Sequence, residues 1–74
     1  MLSTFVPKEG IQEEAKPCFD LNSIYFNAPV FLKKITGVLV EEFELDDIIY
    51  WIVKVENKGY PYLTFNSLKW NRIK

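Results

Sequence analysis

Five of the ten acidic residues fall within seven positions, Glu41, Glu42, Glu44, Asp46 and Asp47. Carboxylates crowded in this way offer hard oxygen ligands to a cation, but a calcium loop also needs alternating acids and a Gly at the sharp turn to wrap the ion. No such loop is present in this chain. The cluster therefore reads as a solvated hairpin tip and as an electrostatic handle for a basic partner. Cys18 is the single thiol, set between Pro17 and Phe19 with Lys16 close by, and there is no His. A lone Cys cannot close an internal disulfide or complete a zinc set, so Cys18 is expected to be a half-buried thiol in a reducing cytoplasm. Only three glycines occur, none in a phosphate-cradling pattern, and no nucleophile has a base beside it. The expectation is a non-enzyme with no metal and no cofactor.

The aromatic residues carry more information. At 16% of the chain they outnumber what a small core holds. Phe31, Phe43, Trp51 and Phe65 suffice to fill it, which leaves Tyr50, Tyr60 and Tyr62 on the outward parity of their strands and Trp70 near an edge. Rigid rings of this kind are favoured at protein interfaces. These four rings, together with Glu41, Glu42, Glu44, Asp46 and Asp47, form the expected partner-binding surface. Two other readings use the same residues. In one, an N-terminal segment bearing Phe5, Phe19 and Tyr25 folds back over the rings as a lid. In the other, the rings stack on single-stranded nucleic acid, with Lys54, Lys58 and Lys69 meeting phosphates. A net charge of −1 and a pI near 5.3 supply no basic field for that second reading, so a protein partner is preferred.

The elements that must position these side chains are strands. Seventy-four residues at 8.7 kDa allow one small domain with a thin core, and 49% hydrophobic content is enough to fold it. The first twenty residues, with Pro7, Gly10, Pro17 and a net charge of −2, look like a loosely structured arm, with one turn of helix available at Ile11 to Ala15. The domain proper spans 21–74, and Leu21 to Phe26 is a candidate extra strand. Beyond Asp20 the chain is rich in β-branched and aromatic residues broken by turn-formers. A strand starts at Val30, after Pro29. Over Thr36 to Leu45 the apolar set changes parity midway, which calls for a bulge near Glu41. Asp46 and Asp47 turn the chain into a strand over Ile48 to Glu56. Asn57, Lys58 and Gly59 form a second turn, with Gly59 suited to positive φ, before a strand over Tyr60 to Phe65. Asn66 to Lys69 reads as one helical turn, and Trp70 to Ile73 as an edge strand. Charge is segregated: −5 over 41–47, then +4 over 48–74, where Lys58, Lys69, Arg72 and Lys74 face no acid after Glu56.

A strand, a loop, two long strands in a tight hairpin, a shorter strand, a turn carrying a Leu and a final short strand: this order resembles the SH3-like small barrel. The match runs from about Ala28 to Lys74. It rests on Gly37-Val38-Leu39-Val40, on Tyr50-Trp51-Ile52-Val53-Lys54-Val55 and on Thr64-Phe65-Asn66-Ser67-Leu68. Small bacterial barrels, photosynthetic accessory subunits, and ribosomal and transcription-factor modules look like this. The residues of peptide-binding SH3 domains are absent, since Phe31, Leu32 and Lys33 replace the Ala-Leu-Tyr stretch. The resemblance implies an all-β, five-stranded antiparallel barrel and an accessory or regulatory binding module, with proline-rich ligands disfavoured. The expected core is Val30, Leu32, Leu39, Ile49, Trp51, Val53, Val55, Leu63, Phe65 and Leu68, with Trp51→Ala costing about 3–5 kcal/mol. No apolar run reaches the length of a membrane-spanning helix.

Overall fold

In the computed structural model, which describes residues 1–10, 14–23 and 30–74, seven strands form one antiparallel sheet that curls into an open half-barrel. They are β1 Leu2–Pro7, β2 Glu14–Cys18, β3 Val30–Phe31, β4 Ile35–Leu45, β5 Ile48–Lys54, β6 Tyr62–Asn66 and β7 Trp70–Ile73. Their order across the sheet is β3-β2-β6-β5-β4-β1-β7. The all-β class stands, but with seven strands in place of five.

Within the first twenty residues, Leu2–Pro7 and Glu14–Cys18 are strands and not a loose arm. They are β1, which sits between β4 and β7, and β2, which sits between β3 and β6. A composition rich in Pro and Glu hid this, because a strand gains its stability from partners distant in sequence and its own residues report that weakly. Part of the expected helical turn at Ile11 to Ala15, and most of the candidate strand at Leu21 to Phe26, lie outside the described residues.

The longest strand, β4, organises the fold. Its first residues pair with β1 up to Leu2↔Val38, and from Val38 onward it pairs with β5. Two features let one strand serve two neighbours. Gly37 lies where a Cβ would come within 2.5 Å of the Lys54 carbonyl oxygen and 2.6 Å of Val53 Cγ1, so only Gly permits this approach of the two backbones. Two to three residues later the register slips between Leu39 and Glu41, which leaves Val40 unpaired as a bulge. The expected bulge near Glu41 is thus present. Because it flips the parity of every residue after it, Phe43 leaves the core side and Glu42 joins it opposite Trp51.

The core gathers Phe5, Ala15, Val53, Val55, Leu63, Phe65 and Trp70, with Val30, Leu32, Ile35, Leu39, Trp51 and Tyr60 packed around it. Phe5 stacks on Phe65 at 5.2 Å between ring centroids and tilts against Trp51 at 5.6 Å, while Trp70 meets Phe65 edge-on at 4.5 Å. Several expected positions are corrected. Phe31 is 70% exposed, because β3 is a two-residue edge strand. Ile49 has the core parity but sits on the hairpin beyond the core and is exposed. Leu68 is exposed because Asn66 to Lys69 is a β-turn and no helix occurs among the described residues. In that turn the Lys69 N–H donates to the Asn66 carbonyl, and the Leu68 N–H donates to Asn66 Oδ1 at 2.9 Å. Gly59 does not take the positive φ expected of it; Gly10 does.

Asp46 and Asp47 form the expected turn, both in the left-handed region with φ of 53° and 64°. Two consecutive positive-φ residues closing the Leu45↔Ile48 pair define a type I′ hairpin, for which Asn-Gly is the preferred dipeptide. The double substitution Asp46→Asn with Asp47→Gly is therefore expected to stabilise the fold by about 0.5–1 kcal/mol. In thermal unfolding this appears as a midpoint raised by about 2–8 °C. An unchanged or lowered midpoint would refute the turn assignment.

Candidate functional site

The hairpin of β4 and β5 runs beyond the rest of the sheet. Pairing with β1 stops at Val38, and pairing with β6 stops at Tyr50↔Asn66. Among the described residues the segment from Glu41 to Ile49 therefore has no ladder partner outside the hairpin, and it carries all five clustered carboxylates. Glu41 and Phe43 lie on one face, Glu42 and Glu44 on the other, and Asp46 and Asp47 form the tip. Glu42 Oε1 accepts a 2.9 Å hydrogen bond from Trp51 Nε1, which fixes the indole across the hairpin. On the opposite face Phe43 and Tyr50 stack at 5.3 Å, nearly parallel at 16°. Among the described residues no three acidic, Cys or His side chains converge tightly enough to hold a metal ion.

The four expected aromatic anchors do not form one surface. Tyr50 and Tyr62 share the face away from the core but stand at opposite ends of the β5–β6 ladder, about 13 Å apart along the strands. Tyr60 packs against the core. Trp70 is only 1% exposed and belongs to the core, so the outward orientation expected of it is wrong. The parity of a four-residue strand does not say which of its faces another layer covers, and here β7 pairs with β1 through Pro7↔Trp70 and turns the indole inward. Its Nε1 has no hydrogen-bond partner among the described residues. The lid reading also fails in its particulars: Phe5 is a core residue of β1, Phe19 is exposed, and Tyr25 lies outside the described residues.

What sequence reading missed is the Phe43–Tyr50 stack. The ring count from sequence assigns Phe43 to the core, whereas the bulge at Val40, close to the position expected for it, sends Phe43 outward beside Tyr50. The chain's charge segregation was legible, but not its spatial outcome: Arg72 Nε donates to Ser3 Oγ at 3.1 Å across the β1–β7 pair. No family model, curated protein or solved structure matches this chain.

A concave feature lies elsewhere on the molecule. A groove of about 540 Å³ opens at the end where β1 begins and β5 ends, lined by Leu2, Gly37, Val38, Lys54, Val55 and Tyr60 among others. Its lining is mostly apolar, with Thr36, Glu56 and Asn57 as further polar members.

Cys18 lies on the face away from the core, buried beside Thr64, whose hydroxyl is 3.8 Å from its sulfur. Burial raises its pKa, the contact with Thr64 opposes that shift, and Asp20 adds to it. A raised folded-state pKa on a thiol favours the neutral form. That stability is complete below the unfolded pKa and is lost as pH rises through the folded one. Alkylation at pH 7.5 is accordingly expected to be about tenfold or more slower in the native protein than in urea, since the thiolate is the nucleophile. Equal rates would show Cys18 to be accessible and ionised. Among the described residues no helix is long and apolar enough to cross a membrane.

Proposed function

We propose that this half-barrel is an open variant of the SH3-like small barrel, and that it acts as a non-catalytic accessory or regulatory module that docks a protein partner through the β4–β5 hairpin. The observation that carries the reading is the projecting hairpin itself. It combines five carboxylates and Phe43, which among the described residues lie beyond the pairing with β1, with Tyr50, which stacks on Phe43 at the last β5–β6 pair. Rings supply contact area at low entropic cost and slow dissociation, while a block of one charge sign speeds encounter with a basic surface. The buried free thiol of Cys18 suits a reducing cytoplasm. Of the anchors expected from sequence, Tyr50 is retained with the acidic residues, and Trp70 is withdrawn because it is buried.

The competing reading is single-stranded nucleic acid at the other end of the same ladder, where Lys54 and Tyr62 are cross-strand partners. Crosslinking in a cell lysate and titration with mixed-sequence oligonucleotides separate the two. Docking through the hairpin predicts a crosslinked protein species that is lost in Tyr50→Ser and kept in Tyr62→Ser, with its association rate falling as salt rises. Oligonucleotide-induced amide shifts at Tyr62 that vanish in Lys54→Ala would replace this reading with the nucleic-acid one.

A further inference from the structure

Resting on the docking reading, we propose that the hairpin binds its partner by strand addition: the open edge of β4 from Glu41 to Leu45 takes an extended segment in which basic and apolar residues alternate. The argument begins from hydrogen-bond parity. In a two-residue type I′ hairpin the pair flanking the turn, Leu45↔Ile48, exchanges both backbone hydrogen bonds, and hydrogen-bonded pairs then alternate along the ladder. Phe43↔Tyr50 and Glu41↔Ile52 bond each other, whereas Glu42 and Glu44 turn their N–H and C=O groups away from β5. The opposite strand confirms this parity: the Ile49 carbonyl, across from Glu44, points outward to accept the Ser67 N–H at 3.0 Å.

Among the described residues no strand pairs with β4 on that side beyond Val38. Among the described residues the edge is open, with Val40 41% and Leu45 47% exposed. It therefore offers two donors and two acceptors, at Glu42 and Glu44, to an incoming backbone. Strand addition uses such main-chain groups for affinity and alternate side chains for selectivity. Here the selectivity is two-sided. On the core-parity face the incoming strand lies beside Glu42 and Glu44, and on the other beside Phe43. Charge complementarity places Lys or Arg on the first and an apolar residue on the second. The same carboxylates disfavour a second copy as the occupant, because edge-to-edge pairing over Glu41 to Leu45 would set three acids against three. Like charges directly opposite are destabilising.

The test uses the full chain, isotope-labelled, and a synthetic peptide of about eight residues alternating Lys and Val. Two further versions carry backbone N-methyl groups on either the odd or the even residues. Strand addition predicts that the parent peptide slows amide exchange at Glu42 and Glu44 by about tenfold or more. It also predicts that one N-methylated version, but not the other, binds at least about tenfold more weakly, because only alternate amides face the edge. Failure of the parent peptide to protect those two amides, or equal binding by all three peptides, overturns strand addition. The docking reading is judged separately, by whether Tyr50→Ser removes the lysate crosslink.

Discussion

Replacing Phe5 with Ala is expected to lower the unfolding free energy by about 3–5 kcal/mol. A domain of this size has a total of only about 4–11 kcal/mol at the usual per-residue stability. Phe5 is fully buried, lies flat on Phe65 and closes against Trp51, so its loss opens a ring-sized cavity at the meeting point of β1, β4 and β7. Trp51, which sequence alone nominated for this role, is only half-buried, and its indole N–H reaches out to Glu42. Urea denaturation of both variants ranks them. Phe5→Ala is expected to be the more destabilising, and to leave a substantial unfolded fraction at 37 °C. If Phe5→Ala cost less than about 1 kcal/mol, as surface changes do, β1 would have no place in the core.

The second large effect is expected at Gly37, where substitution by Ala adds one methyl group and nothing else. Its Cβ would fall 2.5 Å from a backbone oxygen and 2.6 Å from Val53 Cγ1, with Val55 Cγ1 at 3.1 Å. A flexible side chain can swing aside, but the Lys54 carbonyl cannot move without pulling β5 away from β4. Overpacking of this kind costs about 1–3 kcal/mol and more where backbone must shift. Gly37→Ala is expected at or above the top of that range in chemical denaturation, with amide shifts concentrated at Ser3, Val38 and Lys54, the residues across from and beside the contact. A neutral result would mean that β4 and β5 do not approach so closely. Both losses act through non-local contacts and leave the type I′ turn intact, so the stabilising substitutions at Asp46 and Asp47 should partly offset either one by simple addition.

Much of the candidate site was legible before any coordinates. The density of carboxylates from Glu41 to Asp47, the turn at Asp46 and Asp47, the change of parity in β4 and the strand character of Ile48 onward are all local signals, and each appears in the structure near where it was read. What could not be read was which ring belongs to which surface. Alternation along a strand divides its residues into two faces, but it does not tell which face another layer will cover. Phe43 went outward because a single unpaired residue, Val40, flipped the parity beyond it.

By itself the sequence determined the chemistry available and the secondary structure of its strongest segments. With no His and one Cys it left no Cys and His zinc set to build, and β-branched and aromatic runs between turn residues made the chain all-β. The tertiary structure alone decided that residues 2–7 and 14–18 are strands, that Phe5 and Trp70 are core while Phe31 and Leu68 are not, and that the edge of β4 stays open beyond Val38 among the described residues. Those outcomes depend on pairing across long sequence separations: β1 meets β7 from the far end of the chain, and β2 meets β6 some 46 residues away at Cys18 and Thr64. A strand's neighbours set what it buries, and a single sequence read along its length contains no record of which neighbours those are.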